Sequence, residues 1–114
     1  MATYRIKAGV RVAGLRPEAV LGYLVGGGVM VAKGHDAVMT AGVDGGHMSG
    51  SDHYKGDAVD MRTRHLGVAK AAIVGEISAA LNYPGGDYDV LLEGEGTTNE
   101  HLHIEFDPKT GINR

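Results

Sequence analysis

The chain predicts an α+β domain: a mostly antiparallel sheet with helices packed on one of its faces. Three observations carry that reading. Apolar residues recur at helical and strand spacing in the order helix, strands, helix, strands. Two segments, 57–62 and 101–106, alternate cleanly between an apolar and a polar face. The 114 residues, 43% hydrophobic and 22% charged, suit one domain over 1–114 with one modest core.

Each element has its own warrant. Residues 4–12 mix β-branched and basic side chains and suit a short edge strand. A helix follows over 17–32. Pro17 fits its first position and Glu18 its positive dipole end. Val20, Leu21, Leu24 and Val25 then follow at helical spacing. Gly26, Gly27 and Gly28 interrupt it, at about 1 kcal/mol each relative to Ala. Its second half therefore survives only by packing tightly on something. Residues 37–41 read as a buried strand, and 42–55 as a Gly- and Ser-rich loop containing His47 and His53. In 57–62, Val59 and Met61 share one face, with Ala58, Asp60 and Arg62 on the other. The strongest helix spans 65–82, with Ala69, Ile73, Ile77, Ala80 and Leu81 as its apolar stripe. The run from Asn82 to Gly86 stops it. Tyr88, Val90 and Leu92 suggest a strand, and 93–99 a polar loop. In 101–106, Leu102, Ile104 and Phe106 face away from His101, His103 and Glu105.

Composition excludes several function classes. A net charge of −3 provides no basic field for nucleic acid. Absence of cysteine removes disulfides, Cys-type zinc fingers and a cysteine nucleophile, and favours an intracellular start. Arg5, Lys7 and Arg11 are not followed by an apolar run, so no secretory signal is expected. The apolar stretch around 20–32 holds four glycines and falls short of the roughly 20 residues of a membrane span. With no Trp and 5% aromatics, the core must be aliphatic.

The chemistry concentrates in two segments. Four of the six histidines lie at 47–53 and 101–103, beside carboxylates. Asp60 lies opposite Val59 and Met61, so it is not core. His53 precedes it by seven residues, and a loop turning at Gly56 can fold it back over Asp60. His103 points away from Leu102 and Ile104. Two imidazoles and one carboxylate on a polar face backed by an apolar one are what a catalytic zinc uses, leaving its fourth position open. Taken singly, each residue has a plainer reading. Asp60 could cap a turn or pair with Arg62, and His101 with His103 could form a solvated edge. The joint pattern favours the metal.

The pattern Ser51-x-His53-x-x-Gly56-x-Ala58-x-Asp60, with Glu100-x-x-His103 forty residues on, resembles the zinc signature of the M15-type peptidases. These include D-alanyl-D-alanine carboxypeptidases and the L-alanyl-D-glutamate endolysins of phages, on the hedgehog/DD-peptidase fold. The likeness covers about 35–109 and is greatest to the small phage and prophage members. It implies zinc as cofactor, with His53, Asp60 and His103 as ligands. Glu100 would be the base for a zinc-activated water that attacks a peptidoglycan stem-peptide bond. Ser51 and the Gly56 turn would orient His53.

Two departures stand out. Many members carry an Arg after the first core strand, where this chain has Gly42-Val43-Asp44-Gly45-Gly46-His47. His47 or Arg62 would substitute for it. His101 shares a face with His103 and would share the catalytic role with Glu100 or bind substrate. The loop 42–55 is expected to wall the substrate cleft. The resemblance implies cytoplasmic synthesis, with access to the cell wall by lysis or as part of a virion. The alternative function is a zinc-holding virion or tail component, partnered by phage structural proteins, with little or no peptidase activity.

Overall fold

The computed structural model describes residues 1–44, 53–83 and 86–108. Five strands form one sheet: β1 (Tyr4–Ile6), β2 (Ala37–Ala41), β3 (Ala58–Arg62), β4 (Tyr88–Glu93) and β5 (His101–Phe106). Their spatial order is β1-β2-β3-β5-β4. Only β1 and β2 are parallel; the β2–β3, β3–β5 and β4–β5 pairings are antiparallel. Parallel neighbours need a crossover connection, and α1 (Pro17–Ala32) supplies it. The second helix, α2 (Lys70–Asn82), packs beside α1 and against β4. The chain is therefore α+β with a mixed, mostly antiparallel sheet, as its apolar pattern predicts.

The glycines of α1 explain its continuity. An added Cβ at Gly22 or Gly26 would lie 2.9 or 3.0 Å from Ile104, and one at Gly27 would lie 2.9 Å from the Ala37 Cβ. Lacking side chains there, the helix lies flush on the sheet, and burial offsets the propensity it forfeits. Its own Met30 joins Met61, Ile77, Leu102 and Ile104 in the core, all fully buried.

The second helix differs from expectation. Residues 64–69 form a 3-10 turn rather than the start of an α-helix. Gly67 breaks it with φ 61° and ψ −139°, a conformation essentially reserved for glycine. The α-helix starts only at Lys70, so its buried stripe is Ile73 and Ile77, with Val74 and Leu81 half-buried beside them. Ala80, expected on that stripe, faces solvent. The first strand is also shorter than expected, ending at Ile6.

This framework positions the polar face of the sheet. Val59 and Met61 on β3, and Leu102 and Ile104 on β5, point into the helices and are fully buried. By strand alternation their neighbours Asp60, Arg62, His101, His103 and Glu105 emerge on the opposite face.

Candidate metal centre

Register brings the first two candidates together. In the antiparallel β3–β5 ladder Asp60 is directly opposite His103, and Arg62 opposite His101. Directly opposed Cβ atoms lie about 4.5–5.5 Å apart, so short side chains meet. Asp60 Oδ1 is 3.0 Å from His103 Nδ1.

His53 arrives by a turn. Residues 53–56 form a turn closed by the Gly56 N–H donating to the His53 carbonyl at 3.0 Å. Gly56 has φ +81°, and a Cβ there would collide with the Gly14 carbonyl oxygen. Its own carbonyl accepts from the Arg16 N–H at 2.9 Å, which fastens the turn to the start of α1. The result is a buried His53, 2% exposed, with Nε2 3.0 Å from Asp60 Oδ1 and 3.2 Å from His103 Nδ1.

The outer ring nitrogens fix the chemistry of the inner ones. His53 Nδ1 lies 2.7 Å from the Gly42 carbonyl, which only accepts, so Nδ1 donates. His103 Nε2 lies 2.7 Å from Glu105 Oε1 and donates to that carboxylate. In the neutral rings, the two nitrogens facing Asp60 are therefore bare lone pairs. Three lone-pair donors converge within 3.2 Å of one another, two of them on largely buried residues. That arrangement demands a cation at its centre, either a proton or a metal. Tetrahedral zinc, with bonds of about 2.0–2.1 Å, has donor–donor edges of about 3.3 Å. The donor triangle matches that edge closely, and each histidine has the outer hydrogen bond that metal-bound imidazoles use. The residues fit zinc.

Without a metal, a proton fills the role. Burial pushes the His103 imidazolium down, but its hydrogen bonds to Asp60 and Glu105 raise its pKa from 6.5 to about 9. Burial pushes Asp60 up, but its polar contacts with His103 and then His53 hold it well below the usual carboxylate range.

Glu100 is not one of these donors. Among the described residues, the grouped ligand atoms are those of His53, Asp60 and His103 and, separately, the carboxylates of Asp89, Glu105 and Asp107. The Glu100 Oε2 atom accepts from the Thr63 hydroxyl at 2.6 Å. Its Oε1 accepts from Lys70 Nζ at 2.8 Å and the Gly96 N–H at 3.1 Å. Lys70, then Thr63 and Gly96, lower its pKa to about 2. His101 is nearer the cluster. Its Nδ1 donates to the Asn99 carbonyl at 2.7 Å, leaving Nε2 3.0 Å from Glu93 Oε1 and 3.8 Å from Asp60 Oδ2. Arg62 is exposed at the end of β3, on the Asp60 face. Ser51 and His47 lie outside the described residues.

Among the partners that escaped the sequence reading are Gly42, Thr63, Lys70, Glu93 and Glu105 in its role as the His103 partner. Glu105 had a signal, since strand alternation puts it beside His103. The other four are joined to the site by the fold alone. No protein-family model, curated protein or solved structure matches this chain.

Proposed function

We propose that this chain is a zinc-dependent peptidase of the hedgehog/DD-peptidase type, hydrolysing stem-peptide bonds of peptidoglycan by D,D-carboxypeptidase or L-Ala-D-Glu endopeptidase action. The observation that carries the reading is the convergence of three lone-pair donors, each outer imidazole nitrogen already committed. The motif spacing of the resemblance points to the same three residues. Zinc held there supplies water activation near neutral pH and polarisation of the scissile carbonyl.

The chain's own groups divide the remaining work. His53, Asp60 and His103 hold the ion. Glu105 and the Gly42 carbonyl fix the two rings. His101 moves the proton at Nε2: its other nitrogen is committed to Asn99, and the Glu93 carboxylate lies 3.0 Å from Nε2 and orients the ring. Glu100, which the resemblance makes the base, positions the start of β5 by tying it to Thr63 and Lys70. Delivery to the wall follows cell lysis or travel within a virion.

One observation favours a second reading. The engagement of Glu100 suits a zinc-holding virion module, associated with phage structural proteins and without hydrolysis. Metal analysis followed by incubation with purified peptidoglycan decides between them. Released D-alanine identifies a carboxypeptidase, and cleavage between L-Ala and D-Glu an endopeptidase. Stoichiometric zinc with intact peptidoglycan leaves the structural module. A chain without zinc affinity ends both readings.

A further inference from the structure

Beside the metal group, the polar face of the sheet carries a cleft of about 470 Å³. Its floor is Val38, and its walls carry Arg5, Lys7, Arg62, Asp36 and His65. The strand order explains the construction. Arg5 on β1 is in register with Val38 on β2, and Arg62 ends β3 on the other side. Two strand spacings, about 10 Å, separate β1 from β3.

The charges in this cleft do not cancel. Among the described residues that line it, Asp36 is the one carboxylate, and both its oxygens are engaged: Oδ2 with Arg5 Nε at 3.1 Å, Oδ1 with the Thr3 N–H at 2.9 Å. The His65 Nε2 donates to the Asp36 carbonyl at 2.8 Å, which draws that ring to the rim. Among the described residues no carboxylate pairs with Lys7 or Arg62. Two uncompensated cations thus face a shared concavity over an apolar floor, in a chain of net charge −3. Concave low-dielectric walls focus such a field on an incoming anion. Arg62 follows Asp60 by two residues on β3, roughly 7 Å along the strand.

We propose that this cleft binds an oxyanion, the carboxylate of a peptide or the phosphate of a wall polymer, and anchors it one strand step from the metal group. Its use as a substrate anchor rests on the peptidase reading; the anion site itself does not. Lys7 provides a point charge, and the Arg62 guanidinium can grip two oxygens at once.

The test uses the full-length chain without metal, so that loss of hydrolysis cannot imitate loss of binding. Inorganic phosphate is titrated while amide and guanidinium resonances are followed. Saturable shifts confined to residues 5–7, 36–38 and 62–65 are expected. Affinity should fall at least tenfold in Lys7→Gln with Arg62→Gln, both exposed positions whose exchange leaves the melting temperature unchanged. Competition then identifies the source. A stem peptide that displaces phosphate, while its amidated form does not, assigns the carboxylate. Displacement by glycerol phosphate assigns the polymer. Absence of saturable shifts, undiminished binding in the double variant, or failure of both competitors overturns the proposal.

Discussion

Asp60 and His103 stand as a directly opposed pair on β3 and β5, with Oδ1 and Nδ1 3.0 Å apart. A one-residue slip of either strand would send one of them into the core. The apolar alternation of Val59, Met61, Leu102 and Ile104 therefore fixes these two candidate ligands as firmly as it fixes the core. Purified protein should hold about one zinc per chain, and His53→Ala, Asp60→Ala and His103→Ala should each lose most of it. Zinc at 100 times its dissociation constant should add about 2.7 kcal/mol of stability. A single-ligand variant that retains full zinc by elemental analysis would remove that residue from the set.

On the zinc reading, proton and metal should compete for one position. The folded pKa of His103, about 9, lies above its ordinary 6.5. The metal-free fold then binds the extra proton, and this stabilisation is complete below pH 6.5 and lost as pH rises through about 9. Metal-free protein should become progressively less stable across that window. Zinc affinity should rise over the same window, because the proton must leave first. Denaturant midpoints at pH 6.5 and 9, with and without zinc, check both. A metal-free midpoint independent of pH would refute the shared position.

His101 and Glu100 are separable by substitution. His101→Ala should retain zinc and lose on the order of 10²–10⁴ in turnover, the usual contribution of a positioned acid–base group. Glu100→Gln should lower the melting temperature, and Lys70→Ala should do the same, while both retain most turnover per folded molecule. If Glu100→Gln abolishes hydrolysis with zinc in place and His101→Ala does not, the base is Glu100.

Acid should unlock the same tether. The Glu100 pKa is lowered from 4.5 to about 2, chiefly by Lys70. Its contribution is complete above pH 4.5 and lost as pH falls toward 2. The fall in stability between pH 5 and 2 should therefore be shallower in Glu100→Gln than in the parent. Equal slopes in urea titrations would show that the tether carries no stability.

The sequence made some features legible and hid others for physical reasons. Strand alternation exposed β5 and all of β3 and put His101 and His103 on one face, because period two is local information. The span of α1 was readable from Pro17 to Ala32, but its glycines made sense only once Ile104 and Ala37 were seen to press against it. The break at Gly67 was invisible, since a glycine inside an apolar stripe is ambiguous without its φ. Lys70, Thr63 and Glu93 carry no spacing signal toward Glu100 or His101. They meet through tertiary packing, and a resemblance of motif could not reveal that Glu100 is already engaged.

Two glycine substitutions separate propensity from packing. Gly75 lies exposed in α2 with nothing within 4 Å of an added Cβ, so Gly75→Ala should stabilise by up to about 1 kcal/mol. Gly26→Ala earns the same propensity but drives its Cβ to 3.0 Å from Ile104 and 3.3 Å from Ile77, both buried. Overpacking of that kind costs about 1–3 kcal/mol, so the net change should be neutral to destabilising. The displacement of Ile104 would also reach β5, whose next outward residues are His103 and Glu105. Gly26→Ala should therefore weaken zinc binding, whereas Gly75→Ala should leave it unchanged. Matched urea melts and zinc titrations on the two variants read this out. Equal stabilisation by both would mean that α1 does not need its glycines to sit on the sheet.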